Sequence, residues 1–232
     1  MEQYQEIISL LALTLGVGWA SGINLYATIA TLGLMGATGN MDLPPGLETL
    51  QDPMVIAAAG LMFGVEFFAD KIPGVDSGWD AIHTFIRIPA GVILAAGAVG
   101  DIGPGAELAA AIVGGTLSAT SHAAKSGTRA LINTSPEPFT NWTASLVEDV
   151  AVICGVYTAV QHPALFLVLL VVFIIFVIWF LPIVWRAVKR LFRLLLRLFG
   201  VKDEPPLERE LPVDRSGKNS VPPPSGRPLD TK

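Results

Sequence analysis

Residues 163–181 read PALFLVLLVVFIIFVIWFL, a run with no charged side chain anywhere in it. A stretch of about 20 apolar residues matches the hydrocarbon thickness of a bilayer. Inside lipid no water satisfies the backbone, so such a run is stable only as a helix that makes its own hydrogen bonds. The rest of the chain agrees with this solvent. Hydrophobic residues make up 52% of the sequence and charged residues 15%, against about a quarter charged in soluble domains. The expected fold class is all-α, a polytopic membrane helix bundle.

Apolar periodicity predicts about six transmembrane segments, near 7–34, 54–69, 80–99, 106–131, 141–160 and 163–181. The first is interrupted by Gly16, Gly18 and Gly22 ahead of Asn24, and the second and third are short enough to be re-entrant. Only Lys71, Arg87, Lys125 and Arg129 precede Arg186, while eleven cations follow from there on. The positive-inside rule then puts the turns at 70–80 and 123–140 inside, with both termini cytoplasmic in an inner membrane. The start, MEQYQEIISLLALTLG, lacks a basic leader region and is expected to stay as the first helix. Past Pro182, residues 183–200 form an amphipathic interfacial helix. Arg186, Lys189, Arg190, Arg193 and Arg197 share one face suited to anionic lipids. Residues 201–232, rich in proline, serine and charge, are expected to be a disordered cytoplasmic tail. The transmembrane domain, 1–182, divides near residue 103 into two candidate halves, 1–102 and 103–182. Three segments in each would make the halves inverted repeats.

Charged residues near the hydrocarbon core persist only when paired, hydrated or used. Glu66 and Asp70 are one helical turn apart, as are Asp76 and Asp80, which continue through His83 to Arg87. Ser118, His122, Lys125 and Arg129 repeat that spacing, and Glu148 and Asp149 interrupt a later apolar segment. The basic stripe lies at the depth of the acidic ones, so Glu66 and Asp70 should face Lys125 and Arg129. Six carboxylates nevertheless outnumber Lys71, Arg87, Lys125 and Arg129, and the remainder must be hydrated, protonated or neutralised by a bound cation. The expected substrate or ion site is Asn24, Glu66, Asp70, Lys71, Asp76, Asp80, His122, Lys125, Arg129, Glu148 and Asp149.

Asp76, Asp80 and His83 have hard ligand atoms at helical spacing and are the weak candidates for a metal, although neighbouring cations oppose one. No cofactor is expected. The single Cys154 rules out an internal disulfide. The tripeptides beginning at Asn133 and Asn141 match a glycosylation pattern that their predicted inside location makes irrelevant. No nucleophile elbow, zinc-binding or phosphate-loop signature is present, and the basic residues accompany apolar stripes rather than a nucleic-acid surface.

The stretches SGINLYAT at 21–28, EFFADKIPGVDSGWD at 66–80, and SHAAKSGTRALINTSPEPFTNWTASLVED at 121–149 resemble an uncharacterised family of bacterial integral membrane proteins, the domain of unknown function 4126, over about residues 5–160. The resemblance implies a bacterial membrane setting and no activity or site residue. The expected function is a small transporter or channel-like protein, with a charged site near the cytoplasmic side and an unknown small solute or ion as partner. The alternatives are an enzyme acting on a lipid headgroup and a non-catalytic assembly protein. Homo-oligomerisation is left open.

Overall fold

A computed structural model describes residues 1–72, 74–100, 102–133 and 138–198. The described residues contain seven α-helices, one 3-10 helix and no strand. In order they are α1 (Glu2–Ile23), α2 (Leu25–Ala37), the 3-10 helix Pro45–Gln51, α3 (Pro53–Ala69), α4 (Val75–Ala98), α5 (Pro104–Ile132), α6 (Pro138–Gln161) and α7 (Pro163–Leu198). Proline opens four of the α-helices, where its missing N–H has no intrahelical acceptor to lose. Compactness divides the chain into Met1–Leu191 and Phe192–Lys232. Of the second unit only the end of α7 is described, and the expected tail at 201–232 lies outside the described residues.

The chain is apolar outside and polar within. Phe85 is 82% exposed and Ile93 68% exposed, while Arg87, Glu66, Asn24 and Asn141 are fully buried. Water would not tolerate that apolar surface, and lipid does. This is a multi-pass membrane protein.

By length and composition, four helices can cross a bilayer: Glu2–Ile23, Val75–Ala98, Phe139–Gln161 and Pro163–Arg190. Pro45–Gln51 with Pro53–Ala69, bent by 71°, makes a fifth if the pair is one span. Four to five candidate spans stand against the six expected, and two elements account for the difference. Helix α5 is long but carries Lys125 and Arg129 in a half that is turned inward. The expected first span, 7–34, is two helices.

Helix α6 serves as a ruler for that break. Its Asp149 bonds Asn24, its Ala159 packs on Gly16, and its Gln161 amide donates to the Asn40 carbonyl. Residues 149 and 161 are about 18 Å apart along a helix. Helix α1 thus descends to Asn24, and α2 climbs back to the level at which α1 entered. The two form a helical hairpin. Asn24 makes the reversal through an extended backbone, φ −146° and ψ 99°, and its side chain accepts from the Ala27 N–H to cap α2. The bent pair Pro45–Gln51 and Pro53–Ala69, in the second expected segment, is a broken span or a re-entrant loop.

Helices α4 and α5 run antiparallel at the centre, with α1 beside them. Small residues set the spacing: a Cβ on Gly18 would lie 2.7 Å from the Gly114 Cα, and one on Gly22 would strike the Ser118 carbonyl and the Ser121 hydroxyl. Helices α1 to α4 precede residue 103 and α5 to α7 follow it. Gln5, Ile8 and Ser9 share a cavity with Gln161–Leu165, whereas Val184 of α7 lies against Gly127, beyond Lys125. The start of α1 and the Val184 region consequently occupy opposite ends of the bundle.

In a Cys154→Ser background, which removes the exposed native thiol, single cysteines should report this geometry. Gln3→Cys and Asp42→Cys are expected to react with an impermeant thiol reagent from one side of the membrane, and Val75→Cys from the other. Reaction of positions 3 and 75 from the same side would contradict the hairpin.

Candidate functional site

One end of the bundle gathers nearly every inward charge. The C-terminal turn of α3 supplies Glu66 and Asp70, and the first half of α4 supplies Asp76, Asp80, His83 and Arg87. The second half of α5 adds His122, Lys125 and Arg129, and α6 adds Asn141, Glu148 and Asp149. The apex of the hairpin brings Asn24 to the same depth.

Arg87 sits at the middle. Its Nη2 donates to Glu66 Oε1 at 2.6 Å and its Nη1 to Asp80 Oδ1 at 2.8 Å. The same Nη1 lies 3.1 Å from His122 Nδ1. Lys125 Nζ reaches Asp70 Oδ2 at 2.8 Å, Glu66 Oε1 at 3.3 Å and the Ile23 carbonyl that ends α1 at 3.1 Å. Arg129 donates to Glu148 Oε2 at 2.6 Å, to Asn141 Oδ1 at 2.6 Å and to the Asp70 carbonyl at 2.7 Å. Asn24 Nδ2 donates to Asp149 Oδ1 at 2.9 Å. Glu66 and Asp70 do face Lys125 and Arg129, as helical spacing suggests.

The network is closed to solvent and carries an excess of negative charge. Six carboxylates (Glu66, Asp70, Asp76, Asp80, Glu148 and Asp149) face three cations, Arg87, Lys125 and Arg129. Among the described residues Glu66 Oε2, Asp70 Oδ1, Asp80 Oδ2 and Asp149 Oδ2 are buried with no protein hydrogen-bond partner. Of the described ion-paired side chains of this network only Glu148 has more than 2% exposure, at 16%. Its carboxylate lines a cavity of about 320 Å³ walled mostly by apolar residues of α1, α5, α6 and α7.

Other expected residues go elsewhere. Lys71 takes no part in the ion pairs: its ammonium lies over the Phe67 ring and donates to the Phe67 carbonyl at 3.0 Å. Asp76, Asp80 and His83 do not converge on a metal. Asp76 accepts from the Gly74 and Ser77 backbone and from Asn133. Asp80 turns to Arg87, and His83 stacks on Trp79 and meets the Tyr26 hydroxyl. No metal-binding group of three such residues exists among the described residues.

Three participants escaped the sequence-based site. Arg87 was legible as the end of the α4 stripe and proves to be its anchor. Asn133 and Asn141, set aside as glycosylation tripeptides, hold Asp76 and Arg129. Their signal was helical spacing: Asn133 is one turn beyond Arg129, and Asn141 lies two turns before Glu148.

Removing one member should expose the cost of the rest. Arg87→Met leaves Glu66 and Asp80 buried without their strongest partner, and a loss of about 3–5 kcal/mol is expected. Adding Glu66→Gln should return part of it. Thermal unfolding of the single and double variants in detergent would measure both, and a stable Arg87→Met protein would refute the anchoring role.

A family model described as a domain of unknown function, DUF4126, matches residues 11–183. No curated protein and no solved structure matches.

Proposed function

We propose that this chain, which belongs to the DUF4126 family, is a small membrane transporter in which the buried ion network binds and releases protons or a monovalent cation. The observation that carries the reading is the charge imbalance: six carboxylates around three cations, with four carboxylate oxygens lacking a protein donor. Charges out of water are tolerated only when compensated. A network with surplus carboxylates therefore takes up protons or cations, and gives them up when its compensation changes.

The same observation weighs against the rivals. A scaffold held by interhelical ion pairs would balance its charges, as buried pairs otherwise cost stability. An enzyme gripping a lipid phosphate would need an uncommitted cation, whereas Arg87, Lys125 and Arg129 are each engaged by carboxylates. Attraction of an anionic solute by the basic stripe is disfavoured for the same reason.

Orientation follows from the cations. Lys71, Arg186, Lys189 and Arg190 lie toward the network end, while 38–52 and 161–163 contain neither lysine nor arginine. The network end faces the cytoplasm of a cell bounded by an inner membrane. On this reading the start of α1, with Glu2 and Glu6, lies on the opposite side, where the sequence alone leads one to expect both termini in the cytoplasm. Arg186, Lys189 and Arg190 on α7 suit contact with anionic lipid there.

Proteoliposomes with an entrapped pH dye, energised by a potassium diffusion potential, test the reading; sodium uptake is followed in parallel. Wild-type protein should conduct one of the two ions. Glu66→Gln, which keeps the shape but carries no charge, should lower the flux at least about tenfold, the scale expected for loss of an essential proton-exchanging group. Movement of neither ion, or wild-type flux in Glu66→Gln, would overturn the proposal.

A further inference from the structure

The cavity that reaches Glu148 does not stop there. A second cavity of about 270 Å³ adjoins it along α6 and α7, and the two share Trp19, Ala151 and Phe173 in their walls. Together they make a trough beside α6 from Glu148 to Thr158, about 15 Å at the helical rise per residue. Its walls are mostly apolar: Phe173, Phe176 and Phe180 line the end near Glu148, where Ser121, Lys125 and Thr128 add polar groups, and Phe166 and Leu170 line the far end. Val147 and Phe176, which are 61% and 47% exposed, lie at its mouth on the outer surface of the bundle. The trough is therefore entered sideways, from lipid. The two cavities, about 320 and 270 Å³, together fall within the range for small-molecule sites.

The polar end is distinctive. Glu148 is the one carboxylate in the lining, and Lys125 lines the same end with its ammonium 3.7 Å from Glu148 Oε2, which Arg129 also holds at 2.6 Å; behind them stands a network in which carboxylates outnumber cations by three. A long apolar slot ending on net negative charge is complementary to an aliphatic chain bearing a cationic head. A carboxylate or phosphate head would meet repulsion there, and a neutral head would forgo the charge-assisted hydrogen bond.

We infer that the trough between α6 and α7 binds a single-chain amphiphile with a protonated amine head, the ammonium on Glu148 and the chain running past Trp19 toward Phe166. This rests on the cation-binding reading of the network and names the class of cation that reaches it from the bilayer. Binding is measured without flux, so the two can fail separately.

The probe is a terminally brominated long-chain alkylammonium, compared with the brominated carboxylate and alcohol of equal length. Each is added to the full chain in phosphatidylcholine nanodiscs. Bromine quenches nearby indoles, and the difference between wild type and Trp19→Phe isolates the signal from the trough wall. The ammonium should bind at least about tenfold more tightly than the alcohol, the scale of one charge-assisted hydrogen bond, and the carboxylate most weakly. Glu148→Gln should bring ammonium and alcohol to equal affinity while alcohol binding persists, which also reports an intact fold. Ala151→Leu, which narrows the shared wall without touching a charge, should weaken all three. Equal binding of ammonium and carboxylate, a preference that survives Glu148→Gln, or indifference to Ala151→Leu would overturn the inference.

Discussion

The ion pair between Arg87 and Glu66 is the contact on which the arrangement turns. Its two partners come from α4 and α3, and the same Glu66 oxygen also receives Lys125 from α5. Lys125 in turn holds the last carbonyl of α1, and Arg129 draws in α6 through Glu148 and Asn141. One connected set of charged groups thus ties five helices at a single depth. In lipid the apolar faces have little preference for one another over the surrounding chains, so packing and polar contacts must select the helix partners. Buried charge performs that selection here because any other register leaves an uncompensated ion.

Close approach and charge burial are linked. Glycines at 18, 22, 91 and 114 let α1, α4 and α5 draw together until backbone and serine atoms meet. Only at that separation do Ser118 and Ser121 reach carbonyls on neighbouring helices, Ser118 to Arg87 and Ser121 to Trp19. The side chains of Arg87 and Lys125 are thereby shut away from solvent, which strengthens their attraction to the carboxylates and raises the cost of separating them. Close packing does not extend all round: between α6 and α7 the walls part and leave the trough. The region that admits a ligand adjoins the region that is most tightly held.

Much of the site was legible because helices impose a short period. Glu66 with Asp70, the run from Asp76 to Arg87, and the run from Ser118 to Arg129 each line one face at three- and four-residue spacing. Their common depth followed from the lengths of the apolar segments. Lys71 breaks the pattern: it follows Asp70 directly, so the side chain leaves on another face and settles on Phe67. Asn133 and Asn141 were hidden by a motif that explains them without any reference to helical faces.

Composition and periodicity by themselves determined that the chain is helical, that it lives in lipid, and which charges share a face. These are local properties, set by side-chain transfer energies and by 3.6 residues per turn. The direction of the chain after Asn24 was not among them. A glycine-rich apolar segment of that length serves equally as one tilted span or as two shorter helices. The choice depends on what Asn24 finds when it arrives. In the fold it finds Asp149, from 125 positions further along the chain, and the Ser118 to Ser121 surface of α5 against Gly22. Tertiary structure decided the hairpin and the opening beside Glu148, because each depends on contacts between residues that no local pattern relates.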